Sequence, residues 1–256
     1  MKGMEKVVDV QRLYADLEGN RVLDDISFSA YNGDVTVIIG GSGSGKTTLL
    51  KHLLGLYPVT RGYVSVLGKD ISRLSEKQQN SLYQQMGVFF QEGALLNSLT
   101  VAENVALPLI HQSDLPKPLI YDIVLMKLGL VNLEDAYHLY PSQLSGGMLK
   151  RVALARAIAM DPPLLFCDEP GAGLDPVSLE SLDRLILNLK NQLGMSVIMV
   201  THEVLSILRV ANRVVYLDNG RVMFEGKIED ALSSQLPELM DFFSVVRNDH
   251  PEKTGT

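Results

Sequence analysis

A glycine-rich run near the start of the chain has the composition and spacing of a phosphate-binding loop. Its sequence, GGSGSGKT over residues 40–47, matches the pattern G-x-x-x-x-G-K-[ST]. Glycines allow consecutive backbone N–H groups to converge on phosphate oxygens, and a helix that starts at the loop directs its positive end at the same anion. We expect Lys46 to reach the β- and γ-phosphates of a nucleotide such as ATP, and Thr47 to ligate Mg²⁺. The predicted ATP-binding residues are Gly40, Gly41, Ser42, Gly43, Ser44, Gly45, Lys46, Thr47 and Thr48.

Two carboxylates follow a short apolar run later in the chain. Residues 164–167 are Leu-Leu-Phe-Cys, which is typical of a strand buried on both faces, and Asp168 and Glu169 come directly after them. The carboxyl ends of parallel strands face the ligand in α/β sheets. Asp168 is therefore predicted to hold Mg²⁺, directly or through water, and Glu169 to polarise an attacking water as general base. Cys167 is predicted to be a small core residue and not a reactive thiol.

A second glycine motif, LSGGM over residues 144–148, precedes a segment with the composition of a helix. Ser145 can cap that helix, while Gly146 and Gly147 leave bare N–H groups at its start. This arrangement indicates a second anion site that has no base or metal ligand of its own. A head-to-tail dimer would use both motifs, because residues 40–47 of one copy and 145–147 of the other would enclose the same ATP.

Strand and helix patterns predict the elements that position these motifs. Strands are predicted over 6–14, 22–30, 34–39, 63–67, 164–167, 196–200, 213–217 and 221–224, and helices over 46–56, 177–193, 228–234 and 237–246. Turn signals at 18–21 and 218–220 predict hairpins. Strands that alternate with helices indicate a mostly parallel α/β sheet. A helical block over 98–160 interrupts that alternation and is predicted to be an inserted sub-domain. Breaks in the block are predicted at Pro108, Pro116, Pro118 and Pro141.

The bulk composition excludes several classes of protein. A chain of 256 residues, 46% hydrophobic, is long enough for one large domain or for a core with a sub-domain. The net charge of −7 weighs against a protein that coats nucleic acid, which would carry a basic footprint. The single cysteine allows no internal disulfide and is typical of a reducing compartment. No apolar run approaches 18 residues, so any membrane role is expected to come through a partner.

The order of the motifs resembles that of the ATPase subunits of ABC transporters. GGSGSGKTT resembles their Walker A motif, LSGGM their signature, LLFCDEP their Walker B motif and GAGLD their D-loop, and the resemblance covers roughly residues 6–228. It implies a RecA-like P-loop ATPase core with an antiparallel β sub-domain over 1–90 and 161–228, and a helical sub-domain over 91–160. A C-terminal helical extension and polar tail would occupy 229–256.

The resemblance also assigns roles to side chains outside the glycine motifs. Gln91 resembles the Q-loop glutamine, which would contact Mg²⁺ or water and link the site to the helical sub-domain; the alternative is a surface loop residue. His202 would sense the γ-phosphate and position the water, or would simply cap a helix. Asp175 would lie at the dimer seam. Tyr14 is the candidate for stacking on adenine, with an ordinary strand tyrosine as the other interpretation.

Three positions depart from the commoner family pattern, and at the first of them Asp16 or Leu17 stands where the family usually places the aromatic residue that stacks on adenine. Met148 replaces the glutamine that usually ends the signature, and Gly171 stands where threonine is commoner. Neither of the last two changes removes a catalytic group, and the catalytic set implied by the resemblance is Glu169, His202, Lys46 and Gln91.

Three segments resemble one branch of this family, the Mla-type phospholipid transporter ATPases. They are QEGALLNSLTVAENVALPL (91–109), HQSDLPKPLIYDIVLMKLGLVNL (111–133) and EDALSSQLPELMDFF (229–243). The branch implies a homodimer on the cytoplasmic face of the inner membrane, bound to an integral-membrane permease. It also implies an MCE-type lipid-binding protein and a small accessory protein. The apolar stretch over 89–109 is expected to receive a permease helix; the alternative is that it packs wholly inside the helical sub-domain.

Other functions remain open at this stage. An ABC ATPase for another cargo, such as lipoprotein, an amino acid or a peptide, would use identical chemistry. A soluble ABC ATPase that acts on DNA would need a long coiled-coil insertion, but only about 100 residues separate Lys46 from Ser145. Relatives that act on ribosomes usually carry two cassettes, and this chain has one. A nucleotide-binding module without activity would be expected to lose Glu169 or His202.

Overall fold

The strands form two sheets in the computed structural model, which describes residues 5–91 and 93–244. They are β1 (Lys6–Leu17), β2 (Asn20–Tyr31), β3 (Val35–Gly40), β4 (Arg61–Val66), β5 (Lys69–Asp70), β6 (Met86–Phe89), β7 (Leu164–Asp168), β8 (Ser196–Val200), β9 (Arg213–Asp218) and β10 (Arg221–Lys227). The first sheet is antiparallel, with the order β2-β1-β4-β5. The second has the order β10-β9-β3-β8-β7-β6, and only its β9–β10 pair is antiparallel.

Most of the helices cover one face of the second sheet, and the first helix of the chain packs with the first sheet on the other face. The helices are α1 (Lys46–Leu53), α2 (Glu76–Tyr83), α3 (Val101–Gln112), α4 (Lys117–Leu130), α5 (Gly146–Ala157), α6 (Pro176–Leu193), α7 (Val204–Val210), α8 (Ile228–Ser233) and α9 (Pro237–Phe242). Some of these helices start with a side-chain cap. Thr100 and Glu103 form a capping box at α3, and the Asp175 carboxylate accepts hydrogen bonds from the N–H groups of Val177 and Ser178 at α6. No helix in the described part of the chain is both long enough and apolar enough to span a bilayer.

The register of the second sheet brings the predicted motifs to one edge. All six residues of β3 are buried, as expected for a central parallel strand. Val200 of β8 pairs with Ile38 of β3 on one side and with Asp168 of β7 on the other. The carboxyl ends of β3, β7 and β8 are therefore level, so the segments that follow these three strands meet at the same edge.

The core consists of two apolar layers on opposite faces of that sheet. Side chains alternate along β3: Ile38 packs with β1, β2, β4 and α1, while Val37 and Ile39 pack with the helices from α3 onward. Cys167 is fully buried in the second layer, and burial raises the pKa of its thiol, as expected for a core cysteine.

A buried ion pair joins two of the covering helices. The carboxylate of Asp183 on α6, 1% exposed, accepts hydrogen bonds from the Ser206 hydroxyl at 2.6 Å and the Arg209 guanidinium at 2.5 Å, both on α7. Asp175 is the N-cap of α6, and α7 begins just after His202. The ion pair between the two helices therefore fixes the segment at Asp175 relative to the segment at His202.

The predicted α/β fold class, with its antiparallel β portion, is confirmed, but one helix break is wrong. Pro108 lies inside α3, although Pro116, Pro118 and Pro141 do stand at the starts of helical segments. A proline inside a helix removes one backbone hydrogen bond. The helix continues because its start is capped and because Val101, Val105 and Leu109 are buried in the core.

The structure also differs from the predictions at several element ends. It adds α2, β5 and β6, and it ends α1 and α9 earlier than predicted. Residues 245–256, which include the end of the predicted last helix and the polar tail, lie outside the described residues. The division into sub-domains over 1–90 with 161–228, 91–160 and 229–256 stays a prediction.

Candidate nucleotide-binding site

Two glycines at the ends of the loop between β3 and α1 leave no room for a side chain. Gly40 has φ +149°, and a Cβ there would lie 2.1 Å from the carbonyl oxygen of Leu217. Gly45 has φ +101°, and a Cβ there would lie 2.7 Å from Leu23. A Cβ at Gly41 or Gly43 would meet no atom within 4 Å. The loop is therefore tightly held at its two ends and open between them.

The first turn of α1 presents its backbone N–H groups without competition from its own side chains. Gly45 is the N-cap, so no side chain caps the helix, and the first turn has no acidic residue. The unpaired N–H groups and the positive end of the helix dipole make this a site for an anion. Thr47, predicted to be a metal ligand, is exposed on the same turn.

Lys46 lies across the loop that precedes it. Its amine donates hydrogen bonds to the carbonyl oxygens of Gly40 at 2.8 Å and Gly41 at 2.7 Å. Burial lowers the pKa of this lysine, and the carboxylates of Glu169 and Asp168 oppose that shift. The ammonium group is thus held next to the open part of the loop and near both predicted catalytic carboxylates.

Asp168 ends β7 and is half-buried. Burial raises the pKa of its carboxyl group, and the neighbouring Glu169 adds to the shift, while Lys51 and Lys46 oppose it. A carboxylate that lacks full solvation gains from a nearby divalent cation. Asp168 and the Thr47 hydroxyl supply the hard oxygen ligands that Mg²⁺ prefers.

The set of protein ligands for a metal is small. Among the described residues there is no cluster of three or more His, Cys, Asp or Glu side chains that could hold an ion. Mg²⁺ in nucleotide sites is usually bound through one or two protein oxygens together with phosphates and water. The donor set therefore suits a metal that arrives with a nucleotide.

Glu169 has a strained backbone and an unpaired oxygen. Its φ is +45°, in the left-handed region that costs a residue with a side chain about 1 kcal/mol or more. Its N–H donates to the carbonyl oxygen of Val200 at 2.8 Å, which holds that conformation. Its Oε1 lies 3.0 Å from Nδ1 of His202, whereas its Oε2 is buried and has no hydrogen-bond partner. A buried, unpaired carboxylate oxygen is suited to accept a proton from a ligand.

His202 joins this group from the next strand. It follows β8 and Thr201, and its ring is 62% exposed, so it borders the site on the solvent side. Its Nδ1 contacts Glu169, and its Nε2 lies 3.8 Å from the carboxylate of Glu203. The structure thus brings Lys46, Asp168, Glu169 and His202 together, as the sequence predicts.

The glycines of the LSGGM motif lie in a different cleft. Ser145 caps α5 by accepting a hydrogen bond from the Met148 N–H at 3.3 Å, and the backbones of Gly146 and Gly147 are open. A cavity of about 440 Å³ is lined by Ser145, Gly147, Met148 and the start of α6 near Asp175, and no residue of the phosphate loop lines it. The side chain of Asp175 itself is engaged in capping α6.

Gly171 shows why this position differs from the commoner pattern. It is buried, and a Cβ there would lie 2.2 Å from a methyl group of Leu179 on α6. Any larger residue would force Leu179 to move, so the glycine and the leucine form a matched pair.

The contacts of Gln91 and Tyr14 do not involve the other predicted site residues. The Gln91 side chain is exposed. The backbone carbonyl oxygen of Gln91 accepts a hydrogen bond from the Lys150 amine. The Tyr14 ring lies under the Arg61 guanidinium, whose carbon is 3.8 Å from the ring centroid, and Arg21 is 5.4 Å away. Both contacts are cation–π interactions. The roles of Gln91 at Mg²⁺ and of Tyr14 at adenine stay predictions.

One arginine beside the loop after Gln91 has no counterpart in the sequence prediction. Arg156 on α5 donates hydrogen bonds to the carbonyl oxygens of Gly93 and Ala94, in the loop that follows Gln91. A sequence feature that could have predicted this contact is the arginine among the small apolar residues of VALARAIA. A half-buried guanidinium requires several hydrogen-bond acceptors.

Comparison with known proteins extends these observations. A family model described as "ABC transporter" matches residues 23–172. The intermembrane phospholipid transport system ATP-binding protein MlaF of Haemophilus influenzae is 41% identical over 225 residues, covering 88% of this chain and 85% of that protein. The methionine import ATP-binding protein MetN of Mannheimia succiniciproducens is 36% identical over 242 residues, covering 94% of this chain and 70% of that protein.

A solved structure leads to the same family. It is the dimeric, post-hydrolysis state of an ATP-binding cassette bound to ADP and Pi, with a TM-score of 0.78 and 30% sequence identity. The match covers 86% of this chain and 98% of that one. Motif geometry, sequence and fold agree over most of the chain. The chain therefore belongs to the ABC transporter family and is an ATP-binding, ATP-hydrolysing subunit.

Proposed function

We propose that this subunit drives phospholipid transport through a separate integral-membrane permease, by closing as a homodimer around ATP. The observation that carries the choice of cargo is the similarity to MlaF, which extends over 88% of this chain. We expect the subunit to lie on the cytoplasmic face of the inner membrane, bound to that permease, as the resemblance to the Mla-type branch implies. From the resemblance to the Mla-type branch, an MCE-type lipid-binding protein and a small accessory protein complete the assembly.

The buried carboxylate provides the chemical step. Glu169 Oε2 accepts a proton from a water molecule whose oxygen attacks the γ-phosphorus, and the bond to the β–γ bridging oxygen breaks as ADP leaves. The contact between Glu169 Oε1 and His202 leaves Oε2 as the oxygen that can take the proton. Lys46 and the first turn of α1 stabilise the phosphate charge. Thr47, Asp168 and Gln91 are the residues that would hold Mg²⁺, which would supply positive charge to the phosphates when it is bound.

A dimer follows from the separation of the two anion sites. The cleft that contains Ser145 and Gly147 has no general base, and none of residues 40–48 lines it. A second copy placed head to tail would cover the γ-phosphate with residues 145–147, with Asp175 near the seam. The similar cassette that carries ADP and Pi is dimeric, which supports this arrangement.

A cavity beside the loop after Gln91 is where we place the permease. It has a volume of about 350 Å³ and lies between β6, α3 and the end of α5. Phe90, Ala94, Pro108 and Arg156 are among its lining residues. Most of the apolar stretch over 89–109 packs inside the protein, since Val101, Val105 and Leu109 are buried, but Phe90 and Leu96 stay exposed. Part of the stretch is thus exposed, and we propose that it receives one short permease helix.

Leu96→Asp is expected to reduce permease-stimulated ATP hydrolysis and transport about tenfold or more, while ATP affinity stays unchanged. Leu96 is 48% exposed, so a carboxylate there is solvated in the free subunit but would be desolvated against an apolar partner. The comparison requires reconstituted transport together with nucleotide binding to the free subunit.

Two further variants make the Leu96 experiment specific. Leu56→Asp alters another exposed leucine, 58% exposed and three residues after the end of α1, and should leave transport intact. Leu95→Asp is unsuitable because Leu95 is half-buried against the core. Loss of folding in Leu96→Asp, or equal loss of transport in Leu56→Asp, would contradict a docking role for this stretch.

The cargo is tested by what accompanies the assembled complex. We expect glycerophospholipid and an MCE-type protein to co-purify with the subunit and its permease, detected by mass spectrometry of the extracted complex. Methionine import is the second candidate, because MetN matches 94% of this chain. ATP hydrolysis stimulated by methionine and not by phospholipid, in the same preparation, would replace the lipid proposal.

A further inference from the structure

An arginine ties the loop after Gln91 to the helix that begins at the signature motif. Nη1 of Arg156 donates to the carbonyl oxygen of Ala94 at 2.7 Å, and Nη2 donates to that of Gly93 at 2.5 Å. Both acceptor residues have positive φ, +73° for Gly93 and +49° for Ala94. The left-handed conformation is unfavourable for alanine, so this turn depends on interactions from outside the loop.

The loop also packs directly on α5. Gly93 is buried, and a Cβ at that position would lie 3.3 Å from the Ala153 methyl group. Ala153 and Arg156 are three residues apart and share one helix face. On the same helix, the Lys150 amine donates to the carbonyl oxygen of Gln91. The signature helix therefore contacts the loop at residues 91, 93 and 94.

The chemistry of this contact requires an arginine. A planar guanidinium donates from two nitrogens in a fixed fork, whereas a lysine ammonium is a single point donor. Among the described residues, no carboxylate pairs with Arg156, so two carbonyl dipoles are its acceptors. Its role is thus to fix backbone geometry.

The position of Arg156 connects three places that the proposed function uses. It lies 11 residues after Ser145, about 16 Å along one rigid helix. It also holds the segment that begins at Gln91. Together with Ala94 it lines the cavity that we assign to the permease. A group entering that cavity touches the arginine and the loop that it holds.

We propose that Arg156 is a positioning residue that transmits occupancy of the permease cavity to Gln91 and to the signature helix. This inference rests on the proposed function, because it uses the permease site and the role of Gln91. The residue touches neither ATP nor the reacting atoms. It sets where Gln91 stands relative to Ser145, and a partner in the cavity changes that distance.

The test compares ATP hydrolysis by the full chain alone and in the assembled membrane complex, for the wild type, Arg156→Gln and Arg156→Lys. We expect all three to bind ATP with the same affinity and the wild-type complex to be stimulated over the free subunit. In both variants that stimulation should fall about tenfold or more, through kcat and not KM. Lysine should not rescue it, because it cannot reproduce the two-nitrogen fork.

Controls separate this role from a structural one. Arg184→Gln removes an exposed arginine that pairs with Glu180 on α6, and it should leave stimulation unchanged. Thermal unfolding of Arg156→Lys, which keeps the stem and the charge, should stay close to that of the wild type. A lower melting temperature with the stimulation ratio intact would show that Arg156 only stabilises the fold, and would overturn the inference.

The remaining outcomes distinguish the inference from the proposed function beneath it. If the complex stimulates ATP hydrolysis equally in the wild type and in Arg156→Gln, the inference is overturned. The proposed permease site is then unaffected. Full stimulation in Arg156→Lys would also overturn the inference, since the fork would be dispensable. A wild-type complex that hydrolyses ATP no faster than the free subunit would overturn both.

Discussion

Glu169→Gln is expected to slow ATP hydrolysis by a factor on the order of 10²–10⁴ while leaving ATP binding intact. The amide has nearly the shape of the carboxylate and can keep the contact with His202, but it cannot accept a proton at the position of Oε2. ATP-bound dimers should therefore accumulate. Steady-state turnover, equilibrium nucleotide binding and size-exclusion chromatography with ATP measure the three consequences.

Glu203→Gln is the matched control for this variant. Its carboxylate is also near the histidine, 3.8 Å from Nε2 of His202, but it lies on the side away from Glu169. We expect its turnover to stay within a few-fold of the wild type. A Glu169→Gln subunit that turns over like the wild type would mean that another group activates the water.

Lys46→Ala should abolish tight ATP binding. The substitution removes the ammonium that would contact the β- and γ-phosphates, and charged hydrogen bonds of this kind contribute about 1.5–3 kcal/mol each. Loss of two such bonds corresponds to a fall in affinity of about 10²–10⁴. Isothermal titration calorimetry or a fluorescent ATP analogue gives the dissociation constant directly.

Lys51→Ala serves as the comparison on the same helix. Lys51 lies near Asp168 and contacts the Tyr57 ring, but it is one helical turn past the phosphate loop. Its removal should change ATP affinity by much less than the loss of Lys46. Unchanged nucleotide affinity in Lys46→Ala would refute the assignment of residues 40–47 as the phosphate loop.

Local patterns were enough to predict the parts of the fold that depend on neighbouring residues. The hairpin between β9 and β10 was predicted from Asp218-Asn219-Gly220, and Asn219 and Gly220 do adopt positive φ. The phosphate loop lies between a strand and a helix, as its pattern predicts. In contrast, α2 was missed because EKQQNSLY has one buried residue, Leu82, and so has no apolar periodicity.

Contacts between distant residues could not be predicted from local patterns. The left-handed conformation of Glu169 depends on a hydrogen bond to Val200, and the hydrogen bonds from Arg156 reach residues 62 and 63 positions away in sequence. Arg61 and Arg21 meet the Tyr14 ring only because β1, β2 and β4 are neighbours in the sheet. Such contacts depend on which strands, helices and loops are neighbours in the fold. Local sequence patterns do not predict that arrangement.

The hydrogen bonds from Lys46 to its own loop also bear on nucleotide selectivity. Two of the three N–H donors of the ammonium are used by the carbonyl oxygens of Gly40 and Gly41, and these bonds help to preorganise the loop. We expect a nucleoside monophosphate, which lacks the β- and γ-phosphates that Lys46 is predicted to contact, to leave both bonds in place. Only a longer phosphate chain offers anionic oxygens that compete with those carbonyls. We therefore expect the lysine to favour triphosphates over monophosphates by exchanging neutral acceptors for charged ones, in addition to the phosphate contacts of the loop N–H groups.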